Sequence, residues 1–154
     1  MIIRIIFSYF ATGAFSILFK TPAKYVPLSA LSGMIGWSVY EVSNAYFSIE
    51  VAFVLSAFIA GFVSILFSNL FLVNSKIFMI PAVIPLVPGA PAFFSIQKFI
   101  EKDYNQAINF AYATFVAAFG IVIGLSMATY IFSFFNDFFD RKRILKYNNS
   151  IKNK

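Results

Sequence analysis

Five apolar runs free of charged residues, separated by short polar turns, set the pattern of this chain. A helix needs about 20 apolar residues to cross roughly 30 Å of hydrocarbon, so runs of that order predict membrane spans. Ile5 to Phe19 is the first, closed by Lys20-Thr21-Pro22-Ala23-Lys24, a charged turn with a helix-breaking proline. Val26 to Tyr40 is the weakest, short and carrying Gly33, Gly36 and several serines. Val51 to Val73 is the third, Ile77 to Ile96 the fourth, interrupted by prolines, and Ala107 to Phe135 the fifth. At about 1.5 Å per residue the fifth exceeds the bilayer thickness, so it should tilt or protrude.

The pattern predicts an all-α, polytopic transmembrane helix bundle of five, alternatively four, spans with one proline-broken helix. Lys and Arg favour the cytoplasmic side of a membrane, which weighs the two topologies. Five spans put Lys20, Lys24, Lys76 and six basic tail residues inside against Arg4, Lys98 and Lys102, nine to three. Four spans, with Val26 to Tyr40 re-entrant or interfacial, give eight to four. Both put the C-terminus in the cytoplasm. Arg4 before the first run resembles the start of a signal peptide, but no clear small-residue cleavage site follows and further spans do. Residues 1–140 read as one membrane-embedded domain and 141–154 as a basic cytoplasmic tail, with Asn148 to Lys154 polar enough to be disordered.

Composition agrees with lipid as the main solvent: 60% of the 154 residues are hydrophobic, 12% are charged, and mean hydropathy is +0.83. The net charge of +6 is concentrated at Arg141, Lys142, Arg143, Lys146, Lys152 and Lys154, which suits a cytoplasmic membrane anchor better than nucleic-acid binding. With no Cys and no His, the chain has no thiolate nucleophile, disulfide, Cys/His zinc site or imidazole base, and no metal or cofactor is expected. No Ser-Lys or paired carboxylates fall at membrane depth, so an intramembrane enzyme lacks its constellation. Glu41, Glu50, Asp137 and Asp140 sit at run ends, leaving no carboxylate or basic residue inside a run as an obvious group to couple protons.

The most informative stretch is Pro81-Ala82-Val83-Ile84-Pro85-Leu86-Val87-Pro88-Gly89-Ala90-Pro91. In a helix, Pro81, Pro85 and Pro88 would free the carbonyls of Ile77, Pro81 and Ile84 and place three rings on one face, at about 3 kcal/mol per break. Such carbonyls cannot face lipid, so the stretch is expected to be buried in protein or to line a wet cavity, as broken helices do in many secondary transporters. The plainer reading is a tolerated kink. Two stripes of small residues at four-residue spacing, Ser56, Ala60, Ser64 and Ser68 and then Gly120, Gly124 and Ala128, predict close helix packing. Asn69, Asn109, Thr114, Ser126 and Thr129 could bond a solute or one another across helices.

Three segments together resemble the small subunit of the threonine/serine exporter (ThrE-like) family. They are Phe10 to Pro22, an opening helix ending in a phenylalanine, two further residues and a proline; Leu31-Ser32-Gly33-Met34-Ile35-Gly36-Trp37-Ser38-Val39-Tyr40; and Ile84-Pro85-Leu86-Val87-Pro88-Gly89, which matches the family signature closely. An alanine-rich last helix follows from Ala107, so the likeness runs from about Phe10 to Ala128. The resemblance implies a bacterial inner-membrane protein working with a larger membrane subunit, the two being fused in other members. It also implies export of threonine and serine, or of dicarboxylates in some two-subunit members, driven by the proton motive force. Where the family often has tyrosine four residues after the signature glycine, this chain has Phe93, which removes any hydroxyl contact there. The expected solute pathway is therefore Pro81, Pro85, Pro88 and Gly89, with Phe93, Ser95, Asn69 and Asn109 as further lining. The alternative is a structural subunit that touches no substrate.

Overall fold

The computed structural model describes the backbone over Ile2–Lys152 and side chains as far as Phe134. The helices are α1 (Ile2–Leu18), α2 (Val26–Tyr46), α3 (Ile49–Phe71), α4 (Lys76–Val83), α5 (Gly89–Ile100) and α6 (Tyr104–Lys152), with 3-10 turns at Ala23–Tyr25 and Ile84–Leu86. No strand occurs among the described residues, so the fold is all-α as the runs predict. By length and apolarity α3 and the part of α6 from Tyr104 to Phe134 can each cross a membrane. The α4 segment through Leu86 and α5, bent by 46°, make a third span if they cross as one. Among the described residues two to three spans thus meet these criteria, fewer than the five or four that the runs lead one to expect. α1, with 17 residues, reaches only about 25 Å.

α6 carries on through Asn148 to Lys152, where composition leads one to expect disorder. The basic side chains of 141–154 lie outside the residues whose side chains are described.

Helix stops are built without glycine. Lys20, Leu72 and Lys102 adopt left-handed φ of 58°, 53° and 63°. At α1 the N–H of Thr21 bonds the Ser16 carbonyl (2.9 Å) and that of Lys20 bonds Ile17 (3.0 Å), a Schellman motif followed at once by Pro22. The same pairing recurs after α5, from Asp103 to Lys98 and from Lys102 to Phe99. Asp103 then caps α6: its carboxylate accepts from the Gln106 N–H (3.2 Å) and side-chain amide (2.7 Å).

Close contacts fix the helix directions. Thr12 meets Gly33 and Ser16 meets Ser29, so α1 and α2 are antiparallel. Gly36 meets Ala60, and Tyr40 stacks on Phe53, so α2 and α3 are antiparallel too. Phe53 meets Gly120, Ala57 meets Gly124 and Gly61 meets Ala128, which makes α6 parallel to α3 with the α4–α5 segment as the return. The two small-residue stripes therefore serve different seams: Ser56, Ala60 and Ser64 are buried on the side of α3 that Gly36 approaches, and Gly120, Gly124 and Ala128 are buried against another side of the same helix. The core joins Phe53, Ala57, Leu86, Ala117 and Ile121, with Trp37, Tyr40, Val83 and Leu125 packed on it.

The α1–α2 seam is small and polar. Ser8, Thr12 and Ser16 are buried on one stripe of α1, facing Ser29, Ser32 and Gly33 on α2. Ser16 Oγ donates to the Thr12 carbonyl (2.7 Å) and stands 2.8 Å from Ser29 Oγ. Thr12 Oγ1, by contrast, is buried without a hydrogen-bond partner. Thr12→Val keeps the shape and removes that unmatched hydroxyl, so it is expected to raise stability by about 1 kcal/mol, read as a higher unfolding midpoint in detergent. A fall of that size would show that the hydroxyl is bonded.

Candidate functional site

The backbone leaves helical geometry where the prolines require it. Val87 is extended (φ −62°, ψ 128°), as a residue before proline prefers, and Pro88 at ψ 59° is the non-helical N-cap of α5, its carbonyl accepting from the Ala92 N–H (3.2 Å). The helix has already ended at Val87, so the three rings do not share one face. The carbonyls freed by the prolines are also paired within the protein, which revises the expectation that they supply polar groups to a solute. Ile77 accepts from the Thr21 hydroxyl (3.4 Å), Pro81 from the Ile84 N–H, and Ile84 from the Val87 N–H (3.1 Å). Thr21 reaches α4 because the Schellman turn after α1 carries it there.

What the bend produces instead is a cavity of about 240 Å³. Pro85 to Pro91 form one wall, Trp37 and Tyr40 of α2 another, Ile49 and Phe53 of α3 a third, and Ala113 and Ala117 of α6 close it. Drug-sized ligands occupy pockets of about 300–1,000 Å³, so this one suits a smaller solute. Its lining is mostly apolar, and its aromatic side is rigid: the Tyr40 ring lies 5.2 Å from Trp37 and 4.8 Å from Phe53. Trp37 Nε1 is buried and has no hydrogen-bond partner. An indole N–H is a donor only, and leaving it unmatched in a low-dielectric interior is costly. Among the described residues no group of three or more His, Cys, Asp or Glu could hold a metal.

Of the residues singled out from sequence, the structure brings Pro85, Pro88 and Gly89 together at this cavity and sets the others apart. Pro81 is fully buried inside α4. Phe93 is 63% exposed, and Asn69 and Asn109 are exposed on α3 and α6. The Ser95 hydroxyl donates to the Ala107 carbonyl (3.0 Å), pinning α5 to α6. Thr114 and Thr129 donate to the carbonyls of Phe110 and Leu125 on their own helix, and Ser126 is exposed. Trp37, Tyr40 and Phe53 were not among the residues expected at the site. The signal for Trp37 and Tyr40 was present in the glycine-tryptophan-tyrosine segment, read for its likeness to a family and not for its facing, whereas Phe53 stands in the third apolar run with nothing in the sequence to mark it.

One charge was misplaced by the run boundaries. The apolar run ends at Tyr40, but α2 continues to Tyr46, since Glu41 to Tyr46 contain no glycine or proline to stop it. Glu41 therefore lies within the helix, its side chain 15% exposed and 3.4 Å from the Arg4 guanidinium of α1.

A family model described as "Threonine/Serine exporter, ThrE" matches residues 4–131, which includes every helix contact and the whole cavity described above. No solved structure matches the chain.

Proposed function

We propose, from the premise that this chain belongs to the threonine/serine exporter family ThrE, that it is the smaller subunit of a bacterial inner-membrane exporter and that the cavity at the bend lines the solute pathway. The family is one of exporters, not enzymes, acting on small amino acids. The solute in this reading is threonine, serine or a related small carboxylate, and a larger membrane subunit completes the transporter. Five crossings agree with the helix directions, because α1, α2, α3, the α4–α5 segment and α6 alternate in sense, and the cytoplasmic C-terminus of this reading rests on the basic residues of the tail. α5 has no buried residue, which leaves Phe93, Ile96 and Phe99 to lipid or to the larger subunit.

The observation that carries the reading is that the stretch with the family's signature, Ile84 to Gly89, leaves helical form only to wall a solute-sized cavity with an unmatched indole N–H beside it. The internal pairing of the freed carbonyls favours the second reading, a structural subunit that touches no substrate.

Gly89 separates the two. It lines the cavity, its φ is not positive, and a Cβ built there meets nothing within 4 Å, so a larger side chain adds bulk at the cavity's exposed edge without disturbing a seam. Gly89→Leu is expected to lower threonine efflux at least about tenfold, the scale set by misfit in an apolar pocket, with the amount of protein in the membrane unchanged. Efflux from cells loaded with a threonine-containing dipeptide, with the larger subunit co-expressed, measures it. Wild-type efflux from this variant would favour the structural subunit.

A further inference from the structure

We propose, resting on the exporter reading above, that Arg4 and Glu41 together recognise the two charged ends of a zwitterionic amino acid, Arg4 its carboxylate and Glu41 its ammonium group. The pair is poorly explained as structural glue. It is a single contact at 3.4 Å, and the Arg4 side chain is 73% exposed, so the attraction is largely screened by its surroundings. Glu41 is the unusual partner: a mostly buried carboxylate on a helix packed among apolar and small residues, with Arg4 the side chain that hydrogen-bonds to it among the described residues. A carboxylate largely withdrawn from solvent is held at some cost unless something pairs with it, and this pairing is loose.

The position of the pair connects it to the pathway. Arg4, Ser8, Trp37 and Pro85 border a second cavity, of about 270 Å³, which shares Trp37 and Pro85 with the one at the bend. Arg4 thus borders the second cavity, Glu41 lines neither cavity and is joined to that one through its contact with Arg4, and Trp37 Nε1, which lacks a partner, belongs to the wall that the two cavities share. A zwitterion replaces the Arg4–Glu41 contact by two contacts of the same kind, so neither protein charge is left unpaired at any stage. A dicarboxylate satisfies Arg4 but brings a second negative charge towards Glu41. That repulsion selects against it, and rejection of this sort is how a site gains specificity beyond mere affinity. Glu41 thereby narrows the solute from small carboxylates in general to amino acids.

The test uses vesicles reconstituted with the full chain and its larger subunit, loaded with labelled threonine or succinate. Glu41→Gln is expected to lower the ratio of threonine to succinate efflux at least about tenfold, through KM, and Arg4→Gln to weaken both solutes. The exchanged pair Arg4→Glu with Glu41→Arg restores an ion pair, so full recovery of threonine efflux in it would mean a structural role and overturn the proposal; continued loss supports it. On the wild type, N-acetylthreonine, which lacks the ammonium group, is expected to compete at least about tenfold less well than serine, whether or not the variants accumulate. Equal competition overturns the proposal. Threonine efflux by the wild type with Glu41→Gln indistinguishable from it removes this proposal alone, whereas export of neither solute by the wild type removes the exporter reading with it.

Discussion

Gly124→Ala is expected to part α6 from α3 and lower stability by about 3 kcal/mol, the upper range for overpacking a filled site. A Cβ at 124 would run into the Val54 carbonyl oxygen and lie 2.8 Å from the Phe58 nitrogen and 2.8 Å from Ala57 Cβ. Two of the three are backbone atoms of α3, so no rotamer change makes room and the helices themselves must separate. In lipid that separation is expensive because association rests on close packing and not on the hydrophobic effect. Gly89→Ala serves as the control, because open space surrounds its Cβ and the change should stay within about 0.5 kcal/mol. The midpoint of unfolding in mixed detergent micelles measures both, and equal midpoints would contradict the seam as described.

Phe78→Ala should cost about 3 kcal/mol and release the first half of the broken helix. α4 has only eight residues, too few to hold a helix by its own hydrogen bonds, so its place depends on what it packs against. Phe78 is fully buried, edge-on to Tyr25 at 5.6 Å and to Phe67 at 6.0 Å. It thus ties α4 to the turn before α2 and to α3 at once. Truncation leaves a cavity under α4 and loosens the Ile77 carbonyl's contact with Thr21. Phe78→Leu should recover about half of the loss, since it refills much of the volume without the ring contacts. A midpoint unchanged from wild type in Phe78→Ala would show that α4 is held by something else.

Several elements were legible before any coordinates. α3 and the start of α6 follow their apolar runs closely because a long run free of charge and proline has no competing local structure. The small-residue stripes on α3 and α6 were readable as packing surfaces because spacing of four residues in a helix places them on one face. The comparable stripe Ser8, Thr12 and Ser16 was equally readable by that rule, but attention to hydropathy passes over serine and threonine. The end of α2 was less accessible. Hydropathy registers where apolar residues stop, whereas a helix stops where backbone groups find caps, and Glu41 falls in the interval between the two.

The proline segment shows the division most clearly. Local chemistry alone dictated that the helix breaks between Pro81 and Pro91, since a ring in place of an N–H removes a bond wherever the chain lies. It also dictated an all-helical membrane fold, because a backbone in hydrocarbon has to satisfy itself within each segment. Which partners take up the freed carbonyls was a matter of tertiary structure: Thr21 lies 56 positions from Ile77 and meets it only when α1 and α4 pack. The same holds for the cavity, whose walls come from α2, α3, the bend and α6, and for the meeting of Arg4 with Glu41. Sequence determines the breaks and faces of each helix through interactions within a few residues. The tertiary structure decides which faces meet, because that depends on every helix packing at once.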